Sequence, residues 1–471
     1  MPDRLLIRNA RLIAAFDDRN RKIENGYLYA EGPKIIEMGQ GSVDYPADIE
    51  IDARGMLMLP GLINTHHHMF QCMTRNIPLM QDAGLFDWLV NHYEIWRHLR
   101  REGFFISAQT AIAELLLSGC TTTSDHLYLF PSSTAGDMID AEIDAARSLG
   151  VRFHPTRGSM SRGKSQQGLP PDDVVQSPDA IIADSKRVLD QYHDPSKFSM
   201  LQIALAPCAP FNVTSDLMRE TVRLAREYGV RLHTHLAETL DEEAYCKKIY
   251  GCSPVEYLRD LDWLSSDIWL AHCIHLSDDE ITLFADQGVG VAHCPSSNMR
   301  LGSGIAPVQK MLDAGVSVGL GVDGSASNDS SNMLAELRLT LLLHRLNPTN
   351  QKGLSAEETI GLATRGGAKL LGREDIGSLE VGKAADLIFI DLNQVGFAGG
   401  LSDPVASVVF SPHQYRAHTV VVNGRVVVSE GKLIDFDTKN LISRHNHMSQ
   451  EIIEQASRES GVDFLKRTNH G

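Results

Sequence analysis

Between residues 59 and 350 short apolar segments alternate with longer amphipathic ones, as in "VRLHTH" (230–235) followed by a helical stretch and "DIWLAH" (267–272) followed by "SDDEITLFADQG". Alternation of this kind predicts β/α units around a parallel sheet. The apolar segments are "GLINTH" (61–66), "CTTTSDH" (120–126), "VRFHPTR" (151–157), "MLQIALAP" (200–207), "VRLHTH", "DIWLAH", "VGVAHC" (289–294) and "VSVGLGVD" (316–323). Eight strands are what a closed (β/α)8 barrel of the TIM type requires. The flanks differ. "RLLIRNARLIAAF" and "ENGYLYAEGPKIIEMG" before the barrel, and "IGSLEVGKAADLIFIDL" and "RAHTVVVNGRVVVSEGKLI" after it, read as strands broken by Gly turns. The predicted organisation is a barrel over 59–373, a small β-sandwich built from both chain ends (1–58 and 374–435), and a polar helical tail over 436–471.

Composition narrows the partners. With 44 Lys+Arg against 60 Asp+Glu the formal charge is -16, which repels a phosphate backbone, and no basic run offsets it, so nucleic acid is not an expected partner. The seven cysteines show no C-x-x-C spacing, the usage of a reduced, cytoplasmic protein. No apolar run reaches the roughly 18–20 residues of a membrane span, and charges at Asp3, Arg4, Arg8 and Arg11 interrupt any signal-like stretch. A soluble enzyme, and by prior a homo-oligomer, is expected.

Chemistry concentrates at the strand ends. The first segment runs into three consecutive histidines, His66, His67 and His68. Extended backbone alternates sides, so His66 and His68 share a face at the barrel mouth and His67 turns away to pack. Later segments end with His235, followed three residues on by Glu238, with His272, and with Asp323. Imidazole nitrogens with a carboxylate suit zinc, or alternatively ferrous iron, and a water on such an ion falls to a pKa of about 7. On spacing alone Glu238 is either a proton carrier or a solvated loop residue. His272 is a base, a hydrogen-bond donor or a core histidine, and Asp323 is a ligand or an Asp-Gly turn residue. H-E-x-x-H, the phosphate-binding glycine loop, the G-x-S-x-G elbow and the H-x-E with P-C-x-x-C of cytidine-type deaminases are all absent from the sequence.

"PGLINTHHH", "HTHLAE", "WLAHC" and "GVDGSASND" resemble the metal and catalytic signatures of the amidohydrolase superfamily, in its cytosine-deaminase-like branch with a single metal. The resemblance extends to the flanking β segments and so covers nearly the whole chain. It implies that His66, His68, His235 and Asp323 bind one divalent metal, that Glu238 shuttles protons, and that His272 and Asp323 complete the catalytic set. "ALAPCAP" has no lysine to bridge a second metal. "SGCTTTSDHLYLFP", "TRGSMSRGKSQQGLPPD" and "HCPSSNMRLGSGIAP" look most like the 8-oxoguanine deaminases, implying hydrolysis of that ring to urate and ammonia. Triazine-substituent hydrolases of the hydroxyatrazine type and isoxanthopterin deaminases are similar alternatives. Expected substrate contacts are Gln71, Cys208 and Arg157, with Trp88 and Tyr128 as further pocket candidates.

Overall fold

The computed structural model describes residues 3–132, 137–346, 353–411 and 415–467. All eight apolar segments form parallel barrel strands: β1 (Leu62–Asn64), β2 (Cys120–Leu127), β3 (Arg152–Ser159), β4 (Ala204–Pro207), β5 (Leu232–Leu236), β6 (Ile268–His272), β7 (Gly290–His293) and β8 (Ser317–Leu320). They pair in sequence order. The ring is drawn closed by backbone bonds from Thr65 N–H to Leu320 O and from Asp323 N–H to His66 O, each 3.0 Å. Closure needs the last strand to approach the first closely. At Gly321 a Cβ would fall 2.8 Å from the Cβ of His66, so a side chain there would push the histidine out of position.

The strands are buried on both faces, as a parallel barrel wrapped in helices demands. Six of them are shorter than the apolar segments that announce them, whereas β2 and β3 run past theirs. β1 stops at Asn64 and β8 at Leu320, so His66, His68 and Asp323 stand on irregular backbone just beyond the strand ends, where loops can aim side chains across the barrel mouth.

Both chain ends enter one further sheet of nine strands. Met56–Pro60 lies parallel to Arg4–Ala14 and antiparallel to Leu387–Asp391. This sheet is continuous and curls back on itself: Ile35 N–H bonds to Lys383 O and Gly382 N–H to Ile35 O, which returns the strand Lys34–Gln40 to the segment leading into Leu387–Asp391. Leu5, Ile7, Leu28, Met58, Leu387 and Phe389 fill its interior. A helix, Thr438–Ser460, follows and packs along the helix Arg101–Leu117. Residues 468–471 of the predicted tail lie outside the described residues. Among the described residues no helix is long and apolar enough to cross a membrane.

The sheet is fastened to the barrel by a buried ion pair. Arg152, at the start of β3, bonds both carboxylate oxygens of Asp386 at 2.9 and 3.0 Å. Its remaining donors go to Phe198 O, Ser199 O and Asn423 Oδ1. Both partners are buried. Removing one partner strands the other charge away from water, so Asp386→Ala is expected to lower unfolding free energy by about 3–5 kcal/mol. Urea unfolding at neutral pH measures this; a loss within the experimental error would mean that the guanidinium finds water or another partner.

Candidate active site

The segment after β1 is stitched to the end of β2 by three bonds. His126 N–H donates to His67 O at 2.7 Å, Met69 N–H to Asp125 Oδ1 at 2.7 Å, and His68 Nδ1 to His126 O at 2.8 Å. The middle histidine, His67, turns away to Ser331 Oγ at 2.9 Å, the packing position that alternation predicts. His66 and His68 face across the barrel mouth to His235 on β5 and to Asp323.

The ring nitrogens of this cluster are arranged for a cation. His68 and His235 each point Nδ1 at a backbone carbonyl, of His126 (2.8 Å) and Cys208 (2.6 Å), so those nitrogens are the N–H donors. Burial pushes the pKa of His68 down to about 3 and that of His235 well below its ordinary value, so both rings are neutral and carry bare Nε2 lone pairs. These two lone pairs face each other at 3.1 Å. His66 Nε2 is buried without a hydrogen-bond partner. Asp323 Oδ1 lies 3.4 Å from His66 Nε2 and 3.3 Å from His68 Nε2. Facing lone pairs and an anionic oxygen repel unless a positive ion sits among them, and three imidazoles with one carboxylate are a donor set that zinc accepts. Ligand atoms of His66, His68, His126 and His235 lie within 4.8 Å of one another, as do those of His66, His272 and Asp323.

Beside this cluster stand Glu238, in the loop after β5, and His272, the last residue of β6. His272 Nε2 is 3.6 Å from Glu238 Oε2 and 3.8 Å from Asp323 Oδ2. Its Nδ1 is held by Asn298 Oδ1 at 2.8 Å. Burial depresses the His272 imidazole, yet the charges of Glu238 and Asp323 outweigh it and lift its pKa. The Glu238 carboxyl is raised by burial and by the Asp323 charge, against the opposing pull of His272. His272 and Asp323 both adopt left-handed backbone, φ 71° and 63°, as does Ala237 next to Glu238, φ 51°. Strained residues gathered at one barrel mouth mark a site held in shape by its surroundings.

His68, His235, Glu238, His272 and Asp323 line one cavity. Gln71 and Cys208 line it, together with Trp88 and Tyr128. Gln71 donates from Nε2 to the Tyr128 hydroxyl at 3.4 Å. Its amide occupies the space over Gly324, where a Cβ would fall 1.9 Å from Gln71 Oε1. The Cys208 thiol is buried and pushed up in pKa by that burial, so it is a neutral wall of the cavity.

Arg157 is not at the cavity. Its guanidinium points out of the barrel, bonding Asp184 (2.9 Å) and Gln176 (2.8 Å) and lying 4.0 Å over the Phe130 ring. The reason is strand alternation: Gly158 faces inward, its missing Cβ 2.8 Å from His126 Cδ2, so its neighbour must face the helices. The opposite wall, Leu85, Trp88, Leu89 and Tyr93, comes from one face of the helix Leu85–Trp96. The i, i+3, i+4 spacing of those residues is visible in "LFDWLVNHY", but nothing in that spacing says which face meets a ligand.

Asn298 sits on the short helix Pro295–Arg300, whose first turn is pinned by the buried carboxyl of Glu336, which accepts from Ser296 N–H (2.9 Å) and Ser296 Oγ (2.6 Å). Burial raises the Glu336 pKa from 4.5 to about 7. The folded protein thus keeps a proton that the unfolded chain releases. The stability this confers is complete below about pH 4.5 and is lost as the pH rises through about 7. Glu336→Gln, neutral at every pH, is therefore expected to lose less stability than the parent between pH 5 and 8 in urea unfolding; parallel curves would contradict the assignment.

Residues 57–427 match the amidohydrolase family model. The chain belongs to the amidohydrolase family. It is 44% identical to the 8-oxoguanine deaminase of Pseudomonas aeruginosa over 91% of this chain and 95% of that protein. To an isoxanthopterin deaminase from an unknown prokaryotic organism it is 35% identical, over 96% of this chain and 97% of the relative. Among solved amidohydrolase structures, a mutant of the atrazine chlorohydrolase of Arthrobacter aurescens TC1, complexed with zinc and atraton, superposes with a TM-score of 0.91 at 38% identity, covering 94% of this chain and 100% of that one.

Proposed function

We propose that this amidohydrolase is a zinc-dependent hydrolytic deaminase of 8-oxoguanine, forming urate and ammonia. The observation that carries the reading is the gathering of His68 Nε2 with His235 Nε2 (3.1 Å) and of Asp323 Oδ1 with His68 and His66 Nε2 (3.3 and 3.4 Å), beside a buried Glu238 carboxyl 3.6 Å from His272; all of these but His66 line one cavity. The 44% identity to an 8-oxoguanine deaminase supports the choice of ring. Among the described residues no lysine or arginine lines the cavity; such a site suits a neutral ring better than a nucleotide phosphate or an amino-acid carboxylate.

In this reading His66, His68, His235 and Asp323 would hold the zinc, which when bound would supply a water acidic enough to act as nucleophile near neutral pH. Glu238 accepts a proton from the attacking water and passes it to the ring nitrogen beside the amine-bearing carbon, then takes the remaining proton from the new hydroxyl and delivers it to the amine, which leaves as ammonia as the carbonyl forms. One water is consumed and one C–N bond is exchanged for a C–O bond. His272 steadies the attacking oxygen through Nε2, its orientation fixed by Asn298. Gln71, whose amide offers both an acceptor and donors, reads a lactam edge of the ring. The face of Leu85, Trp88 and Leu89 keeps bulk water from the reacting carbon.

A triazine-substituent hydrolase is the second reading, favoured by the apolar part of the wall, Leu85, Leu89, Phe211 and Leu301, which suits alkyl groups. The test is release of amine or ammonia by the zinc-loaded protein from 8-oxoguanine, isoxanthopterin and an N-alkylaminotriazine, side by side. Ammonia from 8-oxoguanine above the other two supports the proposal; turnover of the triazine alone would replace it with the second reading. A cytoplasmic setting fits the seven free cysteines, and a homo-oligomer, at least a dimer, follows from the commonness of symmetric assembly. Sedimentation as a monomer at working concentration would refute that assembly.

A further inference from the structure

Two of the three imidazoles in the proposed zinc set are oriented by backbone carbonyls, which no substitution removes. His66 is different. Its Nδ1 meets a side chain, Nε2 of His233, at 2.8 Å. The other nitrogen of His233, Nδ1, is 2.8 Å from Trp269 O, which can only accept, so that nitrogen carries the hydrogen. His233 is wholly buried and stacked on the Trp269 ring at 4.5 Å and 14°, and among the described residues no carboxylate hydrogen-bonds to it or stacks on it. With the ring's hydrogen on Nδ1, Nε2 is the nitrogen that offers a lone pair. The bond to His66 is then Nδ1–H of His66 donating to Nε2 of His233.

The consequence lies in the tautomer of His66. A neutral imidazole carries one hydrogen, and the partner of one nitrogen decides which. With His233 accepting at Nδ1, the lone pair of His66 is at Nε2, the atom that faces Asp323 and the rest of the ligand cluster. Without an acceptor at Nδ1 the hydrogen has an alternative: on Nε2 it would point at Asp323 Oδ1, 3.4 Å away. That tautomer satisfies the histidine and the carboxylate with each other and leaves neither free for a metal.

We propose that His233 is a positioning residue for the metal centre: a buried imidazole relay from Trp269 O through His233 to His66 that locks His66 in its metal-binding tautomer. The inference rests on the zinc reading above. Because it acts through a side chain, it is also the one orienting contact of the three that can be edited.

Two amide substitutions divide the role of His233. An asparagine amide occupies the place of Nδ1 and a glutamine carbonyl that of Nε2. His233→Asn therefore retains the donor to Trp269 O and deletes the acceptor for His66, and His233→Gln does the reverse. Zinc affinity of the full-length protein, measured by competition with a chelator, is expected to fall about 10–100-fold in His233→Asn and to stay within about threefold of the parent in His233→Gln. The nitrogen-15 spectrum of the metal-free protein gives a second readout: the His66 resonances should show hydrogen on Nδ1 in the parent and in His233→Gln, and on Nε2 in His233→Asn. The visible bands of the cobalt-substituted protein should shift only in His233→Asn. Equal zinc affinity in His233→Asn and the parent would overturn the relay, as would an equal loss in both variants, which would mean that ring packing on Trp269 is what matters. Absence of zinc binding in the parent itself would instead overturn the metal centre on which the relay depends.

Discussion

Glu238→Gln is expected to retain zinc at the parent stoichiometry and to lower kcat by about 10²–10⁴, the span of general acid–base catalysis. The substitution keeps the size and the hydrogen bonding of the side chain and removes its ability to carry a proton. Glu238 borders the cavity and touches His272, but it lies outside both clusters of ligand atoms, so metal binding does not depend on it. Its buried carboxyl has a raised pKa, which suits a group that must hold and release a proton within one turnover. Turnover rates with metal analysis of the same sample decide the matter. Full activity with zinc present would remove Glu238 from the chemistry, and loss of zinc would make it a ligand.

His235→Ala should have a comparable or larger effect by a different route. It leaves His68 Nε2 without the nitrogen that faces it at 3.1 Å and reduces three imidazoles to two. Zinc affinity should fall by more than the about 100-fold that outer contacts are worth, and activity should fall with it. A ligand that binds only the folded state stabilises it, so added zinc should raise the Tm of the parent and leave that of His235→Ala unchanged. An unaltered rise in the variant would mean that the histidine cluster is not where zinc binds.

The architecture was legible in the sequence because a parallel barrel repeats one simple pattern. Each of the eight apolar segments overlaps its strand, and their order in the chain is their order in the sheet. Alternation also separated His66 and His68 from His67 correctly, although the backbone there has already left β1. The same rule, applied to β3, would have turned Arg157 outward; only the inward glycine beside it reveals the phase. His233 is separated from His235 by the same i, i+2 step that joins His66 to His68, so the sequence places it on the inward face. What the sequence does not hold is the depth of each residue along the barrel axis. His235 reaches the mouth and His233 lies one layer below, against Trp269 and His66. The cavity wall was illegible for a related reason. Trp88 and Tyr128 become pocket residues because a helix and a strand end converge, a long-range fact that local periodicity cannot encode.

The most direct measurement of the central claim is the kcat/KM of the zinc-loaded protein for 8-oxoguanine, with urate and ammonia quantified together. A value above about 10⁴ M⁻¹s⁻¹, the lower end for physiological substrates, with one ammonia for each urate, is the expected result. A fully loaded protein that releases no ammonia from this ring would contradict the assignment of the site to its deamination.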